Sequence, residues 1–530
     1  MAVTPIAGAS ADSDGRVLAA CAARAGLDAR GNLPPITELG IITCGKPALL
    51  RRSVSSWVDF ARRHGRELRI TLVDDSPTPE LAQSQREAAR ALEAELGIRL
   101  RFVDPVSRSR LARELALMAG VDPALADFAV SGCPQPRVGI GGSRNLLQLV
   151  TPGRRVLSAD DDIIAAFEVP PPHALALWIN AEDAPMHTWF FDSVAETEAR
   201  VPVSNAPDAL ALHESFVGHP VASVVARLSG PASLRDAGPR LTAAIQDRPV
   251  RIAATALGIV GDCASDCLGF YSLLSGGDTE QRMLARATPL SPSREILRRP
   301  EFPILSQGVL FITFCHAADH TLPLPPYFPV GRGEDQVWQK LLHGSLPDTV
   351  VAHLPLAARH RPDGERRYTR EDYLDPCARF PGNAFLLGLL DIAMPPATVQ
   401  GADARLAALG RHLADAASEP SRFAGLVETA WRAYLAHHRA LVVNAVASRT
   451  AYPAWWQDSM RIIRERLERS LSRSADVPLE YATLIGVPAI DALRQDVQRF
   501  AQLLEAWPAL RQAAATLAER VGGDPTWLRP

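Results

Sequence analysis

Long apolar runs are missing from this 530-residue sequence. No window approaches the ~18 consecutive apolar residues of a membrane span. The start, Met1-Ala-Val-Thr-Pro-Ile-Ala-Gly8, lacks the basic segment and apolar core of a signal peptide. Strong net charge is missing too. Lys and Arg total 56 against 59 Asp and Glu, leaving −3, so there is no general electrostatic reason to expect nucleic acid or an anionic membrane as partner. Cysteine is sparse, scattered and odd in number, at positions 21, 44, 133, 263, 267, 315 and 377. That fits a reducing compartment better than a disulfide framework. Cys263 and Cys267 are near neighbours, but no second pair accompanies them, so the expectation is small buried side chains rather than a metal or redox pair. No internal repeat is visible. These absences lead us to expect a cytoplasmic protein without a transmembrane segment.

What is present is ordinary in bulk and uneven in arrangement. Apolar residues make up 47% and charged residues 22%, as in most soluble domains. The length implies two or three domains at roughly 150 residues each, and 43 prolines imply long ordered loops. Residues 1–35 are small and polar and read as a leader, with a short helix over Val17–Ala25. From Leu39 strands and helices alternate. Leu39–Thr43, Leu68–Val73 and Ile98–Val103 read as buried strands, separated by helical periodicity over Ala48–Arg63 and Glu80–Leu96. Such repetition builds a parallel α/β sheet with right-handed crossovers, whose ligands sit beyond the C-terminal strand ends.

Two acidic clusters fall at those ends. Asp74-Asp75 follows the second strand, and Asp160-Asp161-Asp162 follows a short strand at Val156–Ala159. Three adjacent carboxylates repel one another, and hard oxygen ligands there suit Mg²⁺ or Mn²⁺; a solvated loop or a helix cap is the other reading. Between the clusters, Gly141-Gly142-Ser143-Arg144-Asn145 opens a predicted helix. Glycines before a helix start let backbone N–H groups approach an anion, and Arg144 adds a fork suited to phosphate; the alternative is a glycine turn with a surface arginine. Residues 170–260 read as an insertion, with strands expected at Leu175–Ile179, His187–Phe191 and Val221–Leu228. Its histidines 173, 187, 213 and 219 lack metal-ligand spacing. Core strands are expected at Arg251–Gly261 and Leu305–Phe314, with a turn at Gly276-Gly277-Asp278 between them. A proline-rich loop spans 323–329. Glu334 and Asp335 open a helix, and a strand from Thr349 ends near His353. After Pro395-Pro396 the pattern becomes all-helical, predicting a separate domain of four to six helices over 396–530, with Trp455-Trp456 in its core or at an interface.

The ordered set Val73-Asp-Asp-Ser-Pro77, Gly142-Ser-Arg-Asn145, Ser158-Ala-Asp-Asp-Asp162, Gly333-Glu-Asp335 and His353 resembles the nucleotide-sugar glycosyltransferases of the GT-A fold, most of all the broad family 2 group. The resemblance covers roughly residues 36–365 and implies a Rossmann-like mixed sheet flanked by helices, within a catalytic region of 36–395. It implies that Thr43, Asp74 and Asp75 hold the nucleotide, that Gly142 and Arg144 lie near the diphosphate or donor sugar, and that Asp160 and Asp162 bind Mn²⁺ or Mg²⁺ with His353 as a third ligand. Asp161 would contact ribose or sugar, and Asp335, with Glu334, would supply the general base of an inverting reaction. The implied donor is a nucleotide-sugar, a UDP-sugar foremost, and the acceptor a glycan, a lipid-linked sugar or a peptide. A histidine ligand also occurs among retaining members, so the stereochemistry stays open. The gap from Asp162 to Glu334 exceeds the family norm, which the 170–260 insertion accounts for if it folds out of the way. Two other readings remain: a nucleotidyltransferase that makes a nucleotide-sugar, against which no glycine-rich basic run precedes Asp74, and an inactive relative whose helical C-terminal region binds a partner or a second copy.

Overall fold

The computed structural model describes residues 9–24, 33–131, 139–174, 176–264, 273, 279–289, 291–472, 477–481 and 487–520. Four parallel strands form its N-terminal part: β1 (Glu38–Thr43), β2 (Arg69–Asp74), β3 (Leu100–Val103) and β4 (Arg155–Asp160), side by side in the order β3-β2-β1-β4. They are rich in Ile, Leu and Val and buried along almost their whole length, as strands covered by helices on both faces must be. The crossover helix Pro79–Leu96 shows how sharply the sequence marks such elements. Thr78 caps it by accepting from Leu81 N at 3.3 Å, proline follows, and Gly97 ends it at φ 63°.

The chain runs from β1 outward to β2 and β3, then returns to β4 on the other flank of β1. A crevice between β1 and β4 is the natural consequence. In register, Thr43 is level with Asp74, and Ile42 with Asp160. The carboxyl ends therefore share one rim.

Beyond β4 the sheet becomes mixed. β5 (Ile163–Glu168), β6 (Leu177–Asn180), β7 (His187–Phe190), β8 (Ala232–Asp236), β9 (Arg251–Asp262), β10 (Glu295–Arg299), β11 (Ile304–Ser306), β12 (Cys315–Asp319) and β13 (Thr349–His360) complete thirteen strands among the described residues. β12 lies antiparallel between β4 and β9, β13 runs parallel to β9, and β5 pairs antiparallel with β13. The region 170–260 does not stand apart, because β6 and β8 extend the far edge of the sheet, β7 joins it through β10, and β9 lies near its middle.

Two expected strands differ. Val221–Arg227 is a helix, because Val221, Val224 and Val225 fall on one buried face at helical spacing behind Pro220. Of the run Leu305–Phe314 only Leu305 and Ser306 are strand, at the end of β11, and β12 starts just beyond it at Cys315. Gly308 packs against Asp183 so closely that an added Cβ would sit 2.2 Å from its Oδ1, and that carboxylate accepts from Leu310 N at 2.8 Å. The chain is drawn off the sheet there. The expected turn at 276–278 and Cys267 lie outside the described residues, as does most of the loop before Gly139.

The C-terminal part is helical: Ala402–Ala416, Pro420–Ser448, Ala454–Ser472 and Ala489–Arg520. A two-residue strand not expected from the sequence, Leu479–Glu480, pairs with Phe380–Pro381. Helix Ala489–Arg520 packs on Pro105–Ala119, Pro123–Ser131 and Ile140–Val150. Trp507 is fully buried there and donates from Nε1 to Leu324 O at 2.9 Å, while Phe500 meets Phe328 edge-on. One apolar cluster runs from Val73 and Val103 through Leu146 to Phe500 and Trp507. Packing is thus continuous across the composition change near 395.

Candidate active site at the β1–β4 rim

Asp160 ends β4, Asp161 and Asp162 form the turn, and Ile163 begins β5. Because β4 and β5 pair with different neighbours, the turn leaves the three carboxylates pointing to different partners. Asp161 points back to β1, where its Oδ2 accepts from Thr43 Oγ1 at 2.8 Å and Cys44 N at 3.4 Å. Asp160 meets Arg144 Nη2 at 3.2 Å and keeps a quarter of its side chain exposed. Asp162 faces His360 Nε2 at 3.0 Å. Burial pushes the Asp160 carboxyl up to about 7, helped by Asp162 and Asp161 and opposed by Arg144. Burial and Asp162 push Asp161 to about 6. Burial also acts to raise Asp162, but His360 outweighs it and holds that carboxyl below the usual range.

Arg144 links the rim to the second acidic pair. It is buried on the helix Ile140–Val150, and its Nε lies 3.4 Å from Glu334 Oε1. The glycines before it act differently from the anion loop expected. The helix already begins at Ile140, so Gly141 and Gly142 lie inside its first turn, buried. A Cβ on Gly139 would sit 2.0 Å from Pro329 O, and one on Gly141 would sit 2.0 Å from Phe328 O and 3.3 Å from Glu334 Cβ. These residues are small so that the 327–330 segment and Glu334 can lie against the helix. Behind Arg144 a cavity of about 10 Å³ is lined by Ser158, His316 and Tyr327. His316 Nδ1 bonds to Thr313 O at 2.8 Å, which as an acceptor requires the proton on that nitrogen. Burial keeps the ring neutral, so Nε2 accepts from Tyr327 Oη at 3.4 Å.

Asp335 follows Glu334 in the first turn of the helix Glu334–Ser345 and is part-exposed. Its Oδ1 accepts from Gln336 N at 2.8 Å. Burial, and then the neighbouring Glu334, push its carboxyl up to about 7.

The expected third metal ligand does not reach the rim. His353 sits mid-strand in β13, 3% exposed, beside Phe311, and burial drives its ring down to about 3. His360, last residue of that strand, stands at the rim instead, facing Asp162. The strand runs on past Pro355 to His360 because that proline is tolerated at a register shift between His353 and Ala357. The apolar run that resumes at Leu356-Ala-Ala was the available signal.

At the β2 tip, Asp74 is fully buried. Its Oδ1 accepts from Ser76 N and Oγ at 3.1 and 2.5 Å, while its Oδ2 has no partner among the described residues. Burial raises this carboxyl to about 6. Asp75 is held by Arg108, which also donates to Asp74 O, Ser143 Oγ and Val130 O. Nothing local marks Arg108 in the sequence as a brace between the β2 tip and the helix that carries Arg144.

Among the described residues no three His, Cys, Asp or Glu side chains are already gathered to hold a metal ion. The chemistry of Asp162 and His360 nonetheless fits one. His360 Nδ1 bonds to Asp262 O at 2.5 Å, so it carries a proton. Burial acts to lower the ring's pKa, but Asp162 outweighs it and raises it, so Nε2 also carries a proton and donates to the Asp162 carboxylate; a bound cation would replace that proton. A histidine whose second nitrogen is fixed by a carbonyl is the usual setting of a metal-bound imidazole.

The chain was compared with known proteins: no family model matches it, and no curated protein does so. No helix among the described residues is long and apolar enough to cross a membrane.

Proposed function

We propose that this chain is a metal-dependent glycosyltransferase, on a sheet of the GT-A type, that moves a sugar from a nucleotide-diphosphate donor to an acceptor hydroxyl. The observation that carries the reading is the meeting on one rim of Asp160, Asp162, Arg144, Glu334 and His360, drawn from distant parts of the chain. Asp74 supports the nucleotide end. Its buried, unmet oxygen can only accept, which matches an N–H on a nucleobase such as that of a UDP-sugar, the donor we favour.

Asp160, Asp162 and His360 would hold the cation, and this mixed oxygen and nitrogen set suits Mn²⁺ better than Mg²⁺. When bound, it would supply positive charge to the departing diphosphate. Arg144 keeps Asp160 and Glu334 in place. Asp335 removes the acceptor proton, and a carboxyl near 7 is well matched to that work at neutral pH.

Turnover of a UDP-sugar panel with Mn²⁺ tests the reading. Release of nucleoside diphosphate by the wild type and its suppression in Asp335→Asn, with donor binding intact, are expected. Pyrophosphate release would instead indicate nucleotidyl transfer. A protein with no metal-dependent nucleotide affinity would be a binding relative, consistent with Asp160 and Asp162 being satisfied by Arg144 and His360 alone.

A further inference from the structure

The chain just before Glu334 makes an unusually close contact. Gly333 adopts φ 80°, and a Cβ added there would lie 1.9 Å from Asn383 Nδ2. The glycine therefore does two things: it takes the left-handed conformation, and it lets an amide from another helix rest on the start of the Glu334–Asp335 turn. Asn383 lies in the first turn of Gly382–Ile392 and is part-exposed. Its one partner among the described residues is Gln336 Oε1, at 3.5 Å. That is the outer limit of a hydrogen bond, so most of the amide's donor and acceptor capacity is unspent.

The C-terminal part packs against the start of the helix that carries this amide. A Cβ on Gly382 would sit 2.7 Å from the Tyr481 ring, Tyr481 Oη donates to Asp496 on the last helix at 2.8 Å, and Phe380 N donates to Pro478 O. Contacts from two later segments thus brace the start of the helix that carries one uncommitted carboxamide beside the acidic pair.

We propose that Asn383 binds the acceptor, and that the helical C-terminal part serves to position it. A carboxamide both donates and accepts, as a hydroxyl does. The adjoining Glu334 and Asp335 disfavour an anionic acceptor. The acceptor assigned is therefore a neutral, hydroxyl-bearing molecule such as a sugar. In the step, the acceptor oxygen bonds to the anomeric carbon, whose bond to the diphosphate breaks. The nucleoside diphosphate leaves with that electron pair, and the hydroxyl proton passes to Asp335. This inference rests on the glycosyltransferase reading.

The test is UDP-sugar turnover with Mn²⁺, using water alone and then a panel of methyl hexosides as acceptors. Asn383→Ala is expected to lower turnover about tenfold, the loss of one hydrogen bond, with UDP–Mn²⁺ affinity and thermal midpoint unchanged. Gly333→Ala, whose Cβ would push the Asn383 amide aside, should lower it in the same way. Wild-type turnover in Asn383→Ala overturns the inference, as does a parallel loss of UDP–Mn²⁺ binding, which would mark a structural role. A wild type that binds UDP–Mn²⁺ but uses none of these acceptors overturns the inference alone. A wild type that does not bind UDP–Mn²⁺ removes the glycosyltransferase reading and this inference with it.

Discussion

His353 and His360 share a strand and have opposite surroundings. The first is enclosed among apolar side chains with Nε2 unpaired among the described residues, and the second stands between Asp262 O and Asp162. Substitution should separate them. His353→Ala is expected to destabilise the fold by roughly 2–4 kcal/mol, from the cavity it leaves, while metal-dependent nucleotide binding survives in the folded fraction. Chemical denaturation and calorimetry read the two effects separately. Asp74 offers a second residue-scale test. Its folded carboxyl, near 6, lies above the value in an unfolded chain, so the folded state holds that proton more tightly. Ionisation then erodes stability as pH rises from about 4 through about 6. Asp74→Asn should stabilise the protein by ~2 kcal/mol at pH 8, with the gain vanishing near pH 4, and should weaken nucleotide binding. Equal gains at both pH values would contradict the assignment. Asp335 sets a third expectation. Turnover should fall as pH drops through about 7, where its carboxyl gains a proton, and a pH profile of kcat checks it.

At the scale of single elements, Gly141 is the most exacting position. Its Cβ would meet backbone oxygen rather than a flexible side chain, so Gly141→Ala should cost about 1–3 kcal/mol by overpacking and shift Glu334 from Arg144. Thermal unfolding and turnover should fall together. Elements were legible where periodicity and punctuation agreed. β1, β2 and the helix behind Thr78 are examples, with apolar runs closed by glycine, proline or a capping threonine. They were misread where one cue was ambiguous. The strand from Thr349 reads as ending near His353, yet the sheet absorbs Pro355 at a register shift and the strand continues to His360. The valines at 221, 224 and 225 looked β-forming, yet their spacing is helical. The acidic site followed the same rule. Asp160–162 and Glu334–Asp335 are contiguous in sequence and visible as groups. His360, Arg108 and Asn383 act only through contacts that tertiary folding creates.

At the scale of the whole molecule, the composition change near 395 is real but does not interrupt the packing. The last helix completes a core begun by strands β2 and β3, and deleting it would bare Phe328, Leu324 and the helices that carry Arg108 and Arg144. We therefore expect one cooperative unfolding transition for the full chain by calorimetry, with Trp507→Ala lowering it as a unit; two transitions would indicate independently stable halves. Under the role proposed for Asn383, the same continuity would carry the influence of residues after 396 to a rim formed before 361. A single experiment addresses the account most directly. Free Mn²⁺ is followed by electron paramagnetic resonance as UDP is added to the wild type, His360→Ala and His353→Ala. The account predicts that the free-ion signal falls for the wild type and for folded His353→Ala and persists for His360→Ala. Unchanged Mn²⁺ uptake in His360→Ala would contradict it.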